Sequence, residues 1–295
     1  MASRSIIASA SRIDPRGFRE EAAFVDAAGA RVFSTLHLPE GPVAGCVVVC
    51  PPLMSELLAN YTNEVMLARS LAARGIAVRR FHYRGTGHSD GASEDVDMEG
   101  MVADAVAIAE LVQSESGTDT VCFVGTRLAS LVASGAARSF PGALLCLWEP
   151  CMSGERFVRD LVRALAVLGV SGDPGGPRTI AEFASQIRAR GYVDVAGYQI
   201  HRTLYDGIER AQLTEILTPE IGGALLVQLG RREGIRAEYA PLVDRCSEMS
   251  VPIDVASVDE RISWWFHRPV IPAVEQLSAH TVPWIEWQLA GAVAP

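Results

Sequence analysis

Residues 120–137 read TVCFVGTRLASLVASGAA, and the reading of this stretch decides the fold. An apolar run, TVCFV, is followed by Gly125, Thr126 and Arg127 and then by the small-residue run LASLVASGAA. The pattern predicts a sharp strand-to-helix turn. Such a turn exposes one residue at the carboxyl end of a strand and the amino end of a helix, where many hydrolases carry a serine nucleophile. The residue in that place is Arg127.

On either side of the turn the chain alternates between strand and helix. Residues 22–38 (AAFVDAAGARVFSTLHL) break at DAAGA into two short strands, as in an antiparallel hairpin. VAGCVVVCPP (43–52) reads as a central strand, its nearly continuous apolar run being that of a strand covered on both faces. Helix at 61–75, strand at 76–83, helix at 96–115, the turn itself and strand at 142–150 follow. Alternation of this kind implies parallel strands joined by right-handed helical crossovers. The rhythm stops at 151–220, where GERFVRDLVRALAVLG, SGDPGGP and TIAEFASQIRARG suggest an inserted helical cap, and resumes with GALLVQLG (223–230), AEYAPLVDRCSEM, IDVASVD and a last helix at 273–291. We therefore divide the chain into an N-terminal core part (1–150), a helical cap insertion (151–220) and a C-terminal core part (221–295). In the cap's first helix Phe157, Leu161, Ala164 and Leu168 recur at helical spacing, with Arg156, Arg159 and Arg163 elsewhere.

Composition bounds the function. With 295 residues, 49% apolar and 21% charged, the chain can bury one large core. Its longest apolar runs fall far short of the roughly 18 residues of a bilayer span, so no membrane span is expected. The N-terminal MASRSIIASASRIDPRGFREE has neither a signal-peptide core nor a lipid-anchor pattern, which leads us to expect a cytoplasmic protein. A net charge of −9 argues against nucleic acid as a partner. The basic stretch RSLAARGIAVRRFHYRG (69–85) reads as a solvated helix face and a strand edge. Cys46 and Cys50 read as same-face core residues. No metal-type cysteine pair is present, and RGTGHSDG (84–91) lacks the spacing of a phosphate loop, so neither a metal nor a cofactor is expected.

In doubly wound sheets ligands bind just past the strand ends, which here are VCPPLMSE (49–56), FHYRGTGHSDG (81–91), GTRLA (125–129), LWEPC (147–151), GRRE (230–233) and DERISWW (259–265). Through these elements the chain resembles the α/β-hydrolase superfamily over nearly its full length. Through PPLMSELLAN, GTRLAS, LWEPCMSGERFVRDLVR, VAGYQI and DERISWW it resembles the exosortase A system-associated hydrolase type 2 group, which is serine-aminopeptidase-like. The resemblance implies a mostly parallel, doubly wound α/β-hydrolase sheet with an inserted helical cap. It also implies that Arg127 stands at the nucleophile position and Glu233 at the acid position. At the histidine position the strand IDVASVD leads to Glu260, and the nearest imidazole is His267. An arginine cannot act as a nucleophile, because the guanidinium stays protonated.

Each candidate admits two readings. Arg127 at a helix start suits an anion, or it pairs with Glu233 or Glu260 as a structural ion pair. Glu56 is an acid/base group facing Arg127, or a helix-capping or solvent-facing carboxylate. Cys151 is an activated thiolate or inert packing. Pro52, Thr126, Leu128, Glu149, Cys151, Trp264 and Trp265 are placed as substrate-binding residues, the two tryptophans lining a pocket or packing under the cap. Three functions stay open. The first is an enzyme on a small or medium anionic acyl, peptidyl or glycan-type substrate, with Arg127 holding the anion and Glu56, Glu233, Glu260 and His267 handling protons. The second is a degenerate hydrolase that binds a ligand. The third is an assembly partner that forms a homo-oligomer or docks a pathway protein through its cap.

Overall fold

The computed structural model describes residues 10–168, 179–195, 197–230, 234–259 and 274–292. The chain opens with three antiparallel strands, β1 (Ala10–Asp14), β2 (Phe18–Ala27) and β3 (Ala30–Pro39). Then come β4 (Gly45–Cys50), α1 (Ser55–Ala72), β5 (Ile76–Phe81), α2 (Met98–Ser116), β6 (Val121–Thr126), α3 (Ala129–Ala137) and β7 (Leu144–Trp148). The intervening segment holds α4 (Gly154–Leu168), α5 (Ile180–Arg190), β8 (Tyr192–Val195), β9 (Tyr198–His201), α6 (Arg202–Arg210) and α7 (Leu213–Ile216). The chain returns to the sheet with β10 (Gly223–Leu229), α8 (Ala240–Glu248), β11 (Ile253–Val258) and α9 (Glu275–Ala292).

Among the described residues the main sheet has nine strands in the order β1-β2-β3-β5-β4-β6-β7-β10-β11. β5, β4, β6, β7, β10 and β11 run parallel, and β3 joins β5 antiparallel. The alternation of side chains along each strand sorts the core into two halves. Val47 and Val49, Cys122 and Val124, Leu225 and Val227 face Leu67 and Leu71 of α1 and Leu277, Ile285 and Leu289 of α9. Cys46, Val48 and Cys50, Phe123, Leu145 and Leu147 face Met101 and Ile108 of α2, Val132 and Ala136 of α3 and Leu242 of α8. Burial on both faces accounts for the unbroken apolar run of β4. Cys46 and Cys50 do share one face.

The expected elements are present, with four differences. α1 begins at Ser55, a full turn and more before the expected start at Tyr61. β1 is an added edge strand, mostly exposed, which its sequence ASRID does not announce. The segment between β7 and β10 is mostly helical but also carries the antiparallel ribbon β8–β9. Arg79 and Arg80 are buried in β5, an interior strand, and are not on a solvated edge. Arg79 donates to Ser34 Oγ and pairs with Glu115, while Arg80 donates to His37 Nε2 at 3.3 Å and stacks on Tyr61. In α4 the buried face is Phe157, Val158 and Val162. Leu168's side chain and the loop SGDPGGP lie outside the described residues.

The turn at Gly125–Ala129 is tight. A Cβ on Gly125 would meet Ala129 O at 2.6 Å and Ser130 Cα at 2.8 Å. Both are backbone atoms of the following helix, so relief requires α3 to move away from β6. Forcing extra volume into a packed site costs about 1–3 kcal/mol. Gly125→Ala should lower the unfolding free energy by about that amount, measured by urea denaturation against wild type. An unchanged midpoint would mean that the turn is not this constrained.

Candidate functional site

Among the described residues, three non-glycine residues adopt positive φ after parallel strands of the sheet: Met54 (φ 57) after β4, Arg127 (φ 55) after β6 and Glu149 (φ 44) after β7. Such conformations are strained for L-residues and persist where surrounding bonds over-determine them. At Arg127 those bonds are visible. Its N–H donates to Trp148 O at 3.0 Å, and its carbonyl accepts from Ser130 N at 3.1 Å and Cys151 N at 3.2 Å. Glu149 N–H donates to Val227 O at 2.7 Å, and Leu229 N–H donates to Glu149 Oε2 at 2.6 Å. The ends of β6, β7 and β10 are thereby stitched together beneath the arginine.

The Arg127 side chain is 6% exposed. Its Nη2 donates to Asp160 Oδ2 of α4 at 2.9 Å, and its Nε approaches Glu56 Oε1 of α1 at 3.5 Å. Arg156 of α4 donates to Asp160 from Nε at 3.2 Å and lies 3.0 Å from Glu238. Arg236 pairs with Glu238 and with Glu149, and stacks on Tyr239. The ion pairs thus run from Arg127 at the strand-to-helix elbow between β6 and α3, through α4, to the loop after β10 and back to the end of β7.

Burial lowers the tendency of Arg127 to stay charged, but Cys151, Glu56 and Asp160 around it outweigh that and raise its pKa. Burial pushes Glu56 up to about 7, Arg127 pulls against this, and Asp160 adds to it. One oxygen of that carboxyl, Oε2, is buried without a hydrogen-bond partner. Glu149 is also raised by burial, with Leu229 N–H and Arg236 opposing. Burial pushes the Cys151 thiol up to about 12 against the pull of Arg127. Cys151 is therefore a buried, protonated thiol and not an activated thiolate.

The structure brings together Arg127, Glu56, Glu149 and Cys151 of the residues singled out in the sequence. Glu56 is largely buried against Arg127, and the α1 N-cap is Met54. The Thr126 hydroxyl accepts from Asn60 Nδ2 at 3.1 Å, Leu128 sits fully within the core, and Pro52 is buried. Glu233, Glu260, Trp264, Trp265 and His267 lie outside the described residues. Asp160 and Glu56 are ion-pair partners of Arg127 in the structure, and Asp160, Arg156, Arg236 and Glu238 were not anticipated. Among the described residues no histidine hydrogen-bonds to Glu56, Asp160 or Glu149.

No family model and no curated protein sequence matches the chain. Solved structures do. Est1E from Butyrivibrio proteoclasticus with ferulic acid bound superposes with a TM-score of 0.61 at 15% identity, covering 90% of this chain and 99% of that one. The fold is that of the α/β-hydrolases. A proline iminopeptidase from Mycobacterium smegmatis (TM-score 0.58, 16% identity, 92% and 99% covered) and a lidless α/β serine hydrolase from Xanthomonas campestris (0.53, 18%, 96% and 100%) are similar in the same way. Among the described residues no helix is long and apolar enough to cross a membrane.

The raised pKa of Glu56 has a pH signature. An unfolded glutamate titrates near 4.3, whereas folded Glu56 holds its proton to about 7. Between these values the folded state binds the extra proton, so stability falls as pH rises and levels off above 7. Each such group contributes at most about 1.4 kcal/mol per pH unit. Glu64, buried and also raised to about 7, adds a decline of the same sign. Glu56→Gln, neutral throughout, should become more stable relative to wild type between pH 5 and pH 8, as read by urea denaturation. A constant difference would place the Glu56 titration outside this window.

Proposed function

We propose that this chain is an α/β-hydrolase-fold protein working without a serine nucleophile, in which Arg127 holds an anionic acyl-, peptidyl- or glycan-type substrate of a biosynthetic pathway and Glu56 exchanges protons. The observation that carries this reading is the guanidinium at the elbow, set beside a buried carboxyl with an unpartnered oxygen. A permanently protonated group cannot attack a carbonyl, so no acyl-enzyme forms there. It can stabilise negative charge in a site shielded from water, where such interactions are strongest. A carboxyl titrating near neutrality is suited to giving and taking protons at working pH. The segment 151–220 serves as a cap, a role supported by the contact of α4 with Arg127 through Asp160.

A second reading is a catalytically degenerate hydrolase that only binds a ligand or assembles with another protein. The pairing of Arg127 with Glu56 and Asp160 favours it, because counter-ions already stand where a substrate anion would go. Turnover separates the two. Proton-transfer chemistry requires Glu56, whereas a binding module tolerates Glu56→Gln with ligand affinity retained.

Two outcomes are expected. A fluorophosphonate probe should leave the folded protein unlabelled, and Arg127→Ser should not acquire ester hydrolysis, since among the described residues no histidine is hydrogen-bonded to a carboxylate beside that position to activate a serine. Labelling abolished by mutating one serine would overturn the reading. Arg127→Ala should fold but lose affinity for anionic ligands by about tenfold to a hundredfold, the usual worth of one charged hydrogen bond.

A further inference from the structure

Two guanidinium groups converge on one carboxylate of the chain itself. Arg127 Nη2 donates to Asp160 Oδ2 at 2.9 Å, and Arg156 Nε reaches Oδ1 at 3.2 Å and Oδ2 at 3.3 Å. Forked donors from two arginines match the planar, singly charged carboxylate group. The Asp160 side chain is 24% exposed against 6% for Arg127, so the acid screens the guanidinium from solvent. Both arginines keep another carboxyl contact if Asp160 leaves, Arg127 at Glu56 and Arg156 at Glu238. The clamp therefore survives withdrawal of its occupant.

We propose that Asp160 is a built-in stand-in for the ligand: the Arg127–Arg156 clamp takes the carboxylate of a small organic acid, which enters by displacing Asp160. The inference rests on Arg127 being the anion-holding residue. Exchange of one carboxylate for another leaves the local charge unchanged. A phosphate dianion would bring a second negative charge beside Glu56 and Glu238. The α4 contact is then autoinhibitory. A binding-competent state populated one-tenth of the time weakens apparent affinity tenfold, and removing the internal competitor restores it.

The test is titration of wild type, Asp160→Asn and the double variant Asp160→Asn/Arg127→Gln with sodium benzoate and, separately, inorganic phosphate, by calorimetry at constant ionic strength. Asp160→Asn should bind benzoate about tenfold more tightly than wild type, and the double variant should lose that binding. Equal benzoate affinity in wild type and Asp160→Asn, abolished by Arg127→Gln, would overturn the stand-in while leaving Arg127 as an anion site. No anion binding by any variant would overturn both. Preference for phosphate over benzoate would overturn the carboxylate class. If Asp160→Asn does not fold, a benzoate-soaked wild-type crystal decides. The inference expects the ligand carboxylate on Arg127 and Arg156 with Asp160 rotated away, and benzoate bound elsewhere with Asp160 in place would overturn it.

Discussion

A guanidinium buried at the end of a central strand requires counter-charge, and that requirement organises the end of the sheet. Arg127 cannot shed its proton to escape burial, unlike a lysine or a histidine. An unpaired buried charge would cost several kcal/mol. Carboxylates are accordingly drawn in from two directions, Glu56 from the first turn of α1 and Asp160 from α4. Asp160 brings Arg156, which brings Glu238, and Glu238 shares Arg236 with Glu149. Segments far apart in the chain meet at this one residue.

The backbone beneath is arranged to the same end. Strand β6 runs into α3 without room for a side chain at Gly125, so the elbow residue is thrust out of the sheet with positive φ. The hydrogen bonds from Arg127 to Trp148 and from Cys151 to Arg127 tie that strained residue to the exit of β7. Glu149, strained in turn, is tied to β10 through Val227 and Leu229. The geometry here holds a cation rigidly at the exit of β6.

Much of the fold was legible because its signals are local. The apolar run of β4, the strand–helix alternation and the glycine stop of α2 at Gly117 each lie within a few residues of what they determine. The site was legible only in part. Arg127 and Glu56 stand at strand ends, where a ligand site is sought. Asp160 lies 33 residues from Arg127 in a helix of alternating charge, a pattern that reads equally well as a solvated face. Arg79 and Arg80 misled for a related reason. Charged residues in a strand suggest an edge, whereas their partners Glu115 and His37 are supplied by distant elements that only the folded sheet brings near. The strand β1 carries almost no buried side chain and so has no periodic signature.

The charges of the network add up in a way that bears on its chemistry. Among the described residues, Arg127, Arg156 and Arg236 face Glu56, Asp160, Glu149 and Glu238. A carboxylate takes up a proton most readily where water is most excluded and hydrogen-bond donors fewest. Glu149 accepts from Leu229 N–H and pairs with Arg236, and Asp160 meets two guanidinium groups. Glu56 has a long contact to Arg127 Nε and an orphaned second oxygen, so the extra proton settles there near neutral pH. Asp160 and Glu56 thus divide two duties around one cation. Asp160 fixes Arg127 under α4 through a short contact, while Glu56 meets it through one long contact and holds its proton up to about 7.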